Sequence, residues 1–401
     1  MKPQNNKGEL LLKGPGREKL MAYAKSFEGL SRSFYFLPDR QSDGNERKEV
    51  PAEIGNRRRE ALWHSRMMEN RMVVADQLLE VSRIITEMAD EICTVEDVGS
   101  KKEDKIIKAL KREGLATTDL LMIENKDRRL ELYMRIKTEW GNRIASREAA
   151  EIISEALGQN MVPALHAKSM IDKEYMDICF EEEAAFQVLT GFAKSTKDNE
   201  KESGDTFSVA KINRGQIALS LSDGMGSGPA AAYESKIVIE LLEQFLEAGF
   251  DTEAAVLMIN GAMIGRNEDQ IISTLDICRI NLYTGMLTYL KAGASTTFIK
   301  RESEVEIIES ESLPLGIFHE PDFDKGRKKL YDGDIVVMVT DGVLDRIGGE
   351  APELLIAKAL KKIKSNNPKE IASKLLTYAT LAVDTPCKDD MTILVAGIWR
   401  N

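Results

Sequence analysis

Five acidic residues, in four short strings of this chain, have the type and placement that metal-assisted chemistry needs. Asp205 opens an apolar run in SGDTFSVA, and Asp223 closes one in QIALSLSDGMGSG. Asp341 closes another in DIVVMVTDG, and Asp389 and Asp390 precede the last one in CKDDMTILV. An acid at the end of a strand is carried by rigid backbone and can be aimed into a cleft shared with others. Hard divalent cations such as Mg²⁺ and Mn²⁺ take oxygen ligands and keep several waters, which suits such a cluster. A glycine beside the acid, as Gly224 is beside Asp223, lets a backbone carbonyl reach the same ion.

Taken singly, each string has a plainer reading, because Asp-Gly is a common turn dipeptide. The string DGMGSG also sits between a strand-like run, Ile217 to Leu221, and an alanine-rich helical stretch opening at Pro229. Glycine-rich turns of that kind can cradle phosphate with backbone N–H groups. The P-loop and dinucleotide versions need a Lys-Ser/Thr pair or G-x-G-x-x-G spacing, and neither is present.

The elements that must carry these acids belong to a chain of 401 residues, long enough for two or three domains. Its net charge of -11 argues against a nucleic-acid binder, whose affinity comes from Lys and Arg on phosphates. Cys93, Cys179, Cys278 and Cys387 form no C-x-x-C pair and none opens a C-x5-R loop. Neither a zinc ribbon nor a cysteine phosphatase is therefore expected, and a reducing compartment is. The first residues lack the apolar stretch of a signal peptide, and no run approaches the ~18 apolar residues of a membrane span. The expected location is cytoplasmic.

Three regions are expected. Residues 1–100 read as a helical regulatory or oligomerisation region, with a long helix whose apolar positions run from Leu62 through Leu78 to Met88 and suit packing or homo-oligomerisation. Its Met67, Met68, Met72 and Met88 suit plain core, with an adaptable binding surface as the other reading. NRRRE at 56–60 reads as a solvated helix start, and His64 and His166 stand alone. Residues 101–183 read as a small α+β domain in the order α-β-β-α-β-β, with strands in NMVPALHAK and EYMDICFEE. From 184 to 401 strands dominate, DGDIVVMVTDGVLD among them, with four helical stretches between them; paired sheets with helices outside would bury every apolar face.

The ordered set SGD, SDGMGSG, TDG and DDMT resembles the metal-dependent PPM/PP2C serine/threonine phosphatases, and within them the stage II sporulation protein E family, over residues 184–401. The region from about residue 17 is similar to the cytoplasmic part that precedes that phosphatase domain. The resemblance implies a PP2C-like β-sandwich flanked by helices, two Mn²⁺ or Mg²⁺ ions, and hydrolysis of phosphoserine or phosphothreonine by metal-activated water. Asp205 matches the family's first acid, Asp223 the acid bridging two metals with Gly224 lending its carbonyl, and Asp341 and Asp389 the remaining acids. The family often has Asp-Asn where this chain has Asp389-Asp390, so the match leaves open which of the two binds more closely.

By the same resemblance the substrate is a phosphorylated anti-anti-sigma factor, a STAS-domain protein whose dephosphorylation activates the forespore sigma factor, with cell-division proteins as further partners. Full-length relatives carry membrane helices ahead of the regulatory region; this sequence has none, either as a fragment or as a soluble relative. Two other functions stand beside this one: a regulatory scaffold with a phosphatase fold, and another two-metal hydrolase. The apolar face of the helix after Pro229, with Ile237, Ile239, Leu241, Leu242 and Phe245, offers the upstream helices a place to act on Asp223, unless it is a fixed core helix.

Overall fold

A computed structural model describes residues 100–401 apart from 125–128, 165–166, 199, 214, 249, 265–271, 303 and 382–387, together with most of 21–32 and 72–86. Chain contacts divide it into two compact units, one taking in 75–183 with the early helical residues and the other 184–401. His64, His166, Cys93, Cys387, the NRRRE string and most of the long apolar helix fall outside the described residues. Of the four methionines on that helix Met72 alone is described, and it is exposed.

In the first unit two helical stretches meet through small residues. Ala24 and Ala75 are buried, and the Ser31 and Ser82 hydroxyls donate across to the carbonyls of Ala75 and Ala24 at 2.6 and 2.8 Å. The α+β part follows as α1 (Ser100–Arg112), β1 (Leu115–Glu124), β2 (Leu130–Thr138), β3 (Ile144–Ala145), α2 (Ser146–Leu157), β4 (Met161–Pro163), β5 (Met170–Ile171) and β6 (Met176–Glu182). Strands β1, β2, β6 and β4 form one antiparallel sheet in that order. Its alternating face puts Leu132, Ile136 and Phe180 against Ile106 and Leu110 of α1 and Ile153 of α2. The strand expected in NMVPALHAK is only three residues long, Met161–Pro163, and the Ala164 N–H just past it still reaches the Cys179 carbonyl at 2.9 Å. The two-residue pair β3–β5 is too short to leave a periodic signal.

The second unit is a sandwich of two five-stranded antiparallel sheets. Its elements are β7 (Phe186–Ser195), β8 (Asp205–Asn213), β9 (Gln216–Asp223), α3 (Pro229–Glu247), α4 (Thr252–Ile264), β10 (Leu275–Asn281), β11 (Met286–Ala292), β12 (Thr297–Lys300), β13 (Val305–Ile308), β14 (Asp324–Lys329), β15 (Ile335–Val339), α5 (Asp341–Ile347), α6 (Pro352–Lys362), α7 (Pro368–Leu381) and β16 (Met391–Arg400). One sheet runs β14-β11-β10-β9-β8 and the other β13-β12-β15-β16-β7.

Strands with helices on one face and a second sheet on the other are apolar on both, and β9 and β15 show it. Leu219, Leu221 and Ile280 meet Val336, Met338 and Leu394 between the sheets, while Val337, Val339 and Ile393 turn outward onto α5, α6 and α7. Truncating one such side chain to Ala costs about 2–5 kcal/mol. Two expectations change here. DGVLD is the first turn of α5 and not strand, since a seven-residue helix is too short to show its period. The buried face of α3, with Val238, Ile239, Leu242 and Leu246, packs on α4 and on Ala218, Leu275 and Ile277 of its own sheet rather than standing open to the upstream helices.

Candidate metal centre

The four expected acids are brought to one end of the sandwich by strand register. Asp205, the first residue of β8, is the direct antiparallel partner of Asp223, the last residue of β9. Like charges placed opposite each other on paired strands repel. Asp341 begins α5 two residues past the end of β15, and Asp389 lies two residues before β16, the strand paired with β15. Four strand ends, two from each sheet, therefore deliver carboxylates to the same place.

Their electrostatics confirm the proximity. Burial, then the charges of Asp205 and Asp341, a hydrogen bond to Asp341 and the charge of Asp389 push the Asp223 carboxyl up to about 9. At neutral pH the Asp223 carboxyl is thus mostly protonated. Burial likewise lifts Asp205 to about 6, against the pull of the Thr392 and Thr340 hydroxyls and of Lys194. Asp389 is raised as well, by burial and by the charges of Asp341 and Asp390, with the Asp390 N–H and Lys197 opposing.

Asp205 is buried and tightly held. Thr340 Oγ1 donates to its Oδ2 at 3.0 Å and accepts the Thr392 N–H at 2.9 Å, while the Lys194 ammonium holds the Asp205 carbonyl at 2.5 Å. Its other oxygen, Oδ1, is buried with no hydrogen-bond partner; the Thr392 hydroxyl lies near it but outside hydrogen-bonding geometry. Asp223 is fixed through its backbone: its N–H reaches Thr274 Oγ1 at 2.9 Å, and its carbonyl accepts from the Ser273 hydroxyl at 2.8 Å and the Thr274 N–H at 2.9 Å.

Asp390 has a different task from Asp389. It is buried, its Oδ1 accepts the Lys197 N–H at 2.9 Å and its Oδ2 the Gly204 N–H at 2.7 Å. Both oxygens thus tie down the loop leading into Asp205. Asp389 is half-buried among the charges of Asp341, Asp390 and Lys197. Two glycines set the close approaches. A Cβ on Gly224 would stand 2.0 Å from the Ala231 carbonyl oxygen, and one on Gly342 2.1 Å from that of Asp390. Both Asp-Gly glycines are therefore sites of backbone contact as well as turns.

The donor set fits a divalent cation. It consists of hard oxygens, one of them buried and unpartnered, on carboxyl groups whose pKa values burial and their mutual charge raise despite Lys194 and Lys197 nearby. Among the described residues no three acidic, His or Cys side chains are closed around a single point as ion ligands. Thr340, Lys194 and Lys197 were not singled out from the sequence; the Thr preceding Asp341-Gly342 was the only local sign of any of them.

Comparison with known proteins bears on this arrangement. The family described as Stage II sporulation protein E (SpoIIE) matches residues 213–399, and the SpoIIE regulatory domain matches residues 48–182. Stage II sporulation protein E of Bacillus subtilis (strain 168) is 30% identical over 337 residues, 84% of this chain and 41% of that protein. The Priestia megaterium protein of the same name is 29% identical over 338 residues, 84% of this chain and 58% of that protein. This chain therefore spans about half the length of the curated relatives it matches. The solved structure of the PP2C phosphatase domain with a fragment of the regulatory domain of SpoIIE from Bacillus subtilis superposes with a TM-score of 0.60 at 28% identity, covering 88% of this chain and 99% of that one. The second unit has the PP2C phosphatase fold.

Proposed function

Since the chain belongs to the stage II sporulation protein E family, we propose that it is a metal-dependent protein serine/threonine phosphatase acting on a phosphorylated anti-anti-sigma factor in a sigma-factor pathway. PP2C phosphatases as a class depend on metal ions. The observation that carries the reading is the convergence of Asp205, Asp223, Asp341 and Asp389, with an unpartnered buried oxygen on Asp205 and an Asp223 carboxyl raised by burial and by its acidic neighbours. A relative named phosphoserine phosphatase RsbU, from Bacillus subtilis (strain 168) and 22% identical over 199 residues, points to the same class of substrate.

Asp205, Asp223, Asp341 and Asp389 would hold two Mn²⁺ or Mg²⁺ ions, with the Gly224 carbonyl as a further ligand. Such ions supply an activated water at neutral pH and neutralise charge on the phosphoryl oxygens. The rest is done by the protein. Thr340 orients the Asp205 carboxylate, Asp390 fixes the 197–204 loop, and Lys197 places a positive charge beside Asp389 where an anionic substrate arrives. The proposed setting is the cytoplasmic side of the membrane, with cell-division proteins and a second copy of the chain as partners.

The test is phosphate release from a phosphorylated STAS-domain anti-anti-sigma protein, against a generic phosphopeptide, with and without Mn²⁺. Release is expected to need the metal, to favour the anti-anti-sigma protein, and to fall by about a hundredfold or more in Asp223→Asn. Full activity in Asp223→Asn, or in excess chelator, excludes the metal centre. No release from either substrate leaves the chain a regulatory scaffold.

A further inference from the structure

One cavity among the described residues lies away from the carboxylate cluster. It is a cleft of about 660 Å³ on the helix-facing side of the β8–β14 sheet, walled by the start of α4. Helices α3 and α4 cover that face as far as Leu275, Ile277, Leu290 and Ala292. One step further along the strands the face turns polar. Arg279 of β10 lies directly opposite Thr288 of β11, and Thr288 directly opposite Arg327 of β14. Directly paired residues share a face, so two guanidiniums flank one hydroxyl in a row across three strands. At the spacing of neighbouring strands, the two arginine Cα atoms stand about 10 Å apart.

Both positive charges lack a carboxylate partner within ion-pair distance among the described residues. Arg279 is half-buried and is braced by Thr252 Oγ1 at 2.7 Å and Gln216 Oε1 at 2.6 Å, which aim it without neutralising it. Arg327 is exposed on the edge strand. The third cation of the cleft, Lys325, is paired with Glu253 at 2.7 Å, and the Asp251 carboxylate accepts the Glu253 N–H at 3.1 Å. The Asp251 carboxylate, also in the cleft wall, acts on Arg279 from beyond ion-pair distance, yet burial still lowers the Arg279 pKa, a cost that an anionic ligand would offset.

We propose that this cleft is a second, non-catalytic site that binds the phosphate group of a small organic phosphate between Arg279 and Arg327 over the Thr288 hydroxyl. Two forked guanidiniums and a hydroxyl offer more donors than the two oxygens of a carboxylate can use, and they match the oxygens of a tetrahedral dianion. The volume exceeds that of phosphate alone and lies in the range of small-molecule pockets, leaving room for an organic group against Ile277 and Met286.

The experiment is calorimetric titration of the chelated full chain with inorganic phosphate, and separately with acetate, at fixed ionic strength. One saturable phosphate site is expected, with acetate at least about tenfold weaker. Arg327→Gln, on an exposed edge position, should weaken phosphate about tenfold or more with the melting curve unchanged. Arg279→Gln should do the same, and if it fails to fold, Arg327→Gln decides alone. Asp223→Asn should leave phosphate binding intact. Absence of a saturable site, equal affinity in folded Arg327→Gln, acetate as tight as phosphate, or loss of binding in Asp223→Asn each overturns the proposal. A phosphoserine peptide that binds the wild type tighter than inorganic phosphate, but loses that advantage in Arg327→Gln, reassigns the cleft to a protein ligand. No arm measures phosphate release, so failure here and failure of the phosphatase reading are separately visible.

Discussion

Loading the carboxylate cluster with Mn²⁺ should expel protons, and the number follows from the two raised pKa values. Asp223, at about 9, and Asp205, at about 6, hold their protons more tightly in the folded metal-free chain than ordinary carboxyl groups do. A cation needs both ionised. At pH 7 Asp223 carries close to one proton and Asp205 about a tenth of one, so about one proton leaves per chain loaded; at pH 5.5 the figure rises to about 1.8. Apparent Mn²⁺ affinity should accordingly climb about tenfold per pH unit between pH 6.5 and 8.5, and more steeply below pH 6. Titration calorimetry in buffers of different ionisation enthalpy counts the protons directly. In Asp223→Asn, where the main titrating group is gone, release at pH 7 should drop to about 0.1 per chain. Heats that do not depend on the buffer, or an Asn variant that releases as many protons as the parent, would refute the argument that these carboxyls face one another.

Other expectations use the same contacts. In the metal-free chain the folded pKa values of Asp205 and Asp223 lie above the unfolded ones, so the folded state binds more protons and its stability should fall as pH rises from about 4 through 9; a melting temperature that instead rises across that window contradicts the burial of these groups. Thr340→Val removes the donor to Asp205 Oδ2 and the acceptor of the Thr392 N–H, and should cost about 1–3 kcal/mol in urea unfolding while weakening Mn²⁺ binding. Asp390→Ala strands the Lys197 and Gly204 N–H groups and should lower the stability of the chelated protein by about 2–5 kcal/mol, whereas Asp390→Asn, which keeps one acceptor, should lose less. Lys291 is fully buried against Asp276, which also accepts from Thr297, so Lys291→Met should cost about 3–5 kcal/mol by denaturant melt, and the double change with Asp276→Leu should recover part of it.

The site was legible where its residues sit at the ends of strongly apolar strands. β8 and β9 run from Asp205 to Asn213 and from Gln216 to Asp223, in step with their sequence patterns, and their pairing places one acid opposite the other. What stayed hidden has no local pattern. The tie between Asp390 and the backbone of Lys197 and Gly204 spans almost the whole unit, and Thr340 acts on a residue 135 positions away. β14 reads DKGRKK, a charged string with no apolar residue, and is a strand only because an edge of the sheet accepts charge that its centre would not. The row that carries Arg327 is for that reason invisible to periodicity.

The place of β16 in its sheet sets when during biosynthesis the protein can begin to act. β16 lies between β15 and β7, and β7 pairs with no other strand in that sheet. The first strand of the unit to be made must therefore wait for the last. Until residues 389–400 have been synthesised, Asp389 is missing, the loop held by Asp390 is untethered, and β7 has an open edge. Until then the carboxylates of Asp205, Asp223, Asp341 and Asp389 cannot all be brought to one end of the sandwich. Chains ending at residue 381 should bind no Mn²⁺ in the calorimeter, and Mn²⁺ binding by them would show that the last strand is dispensable.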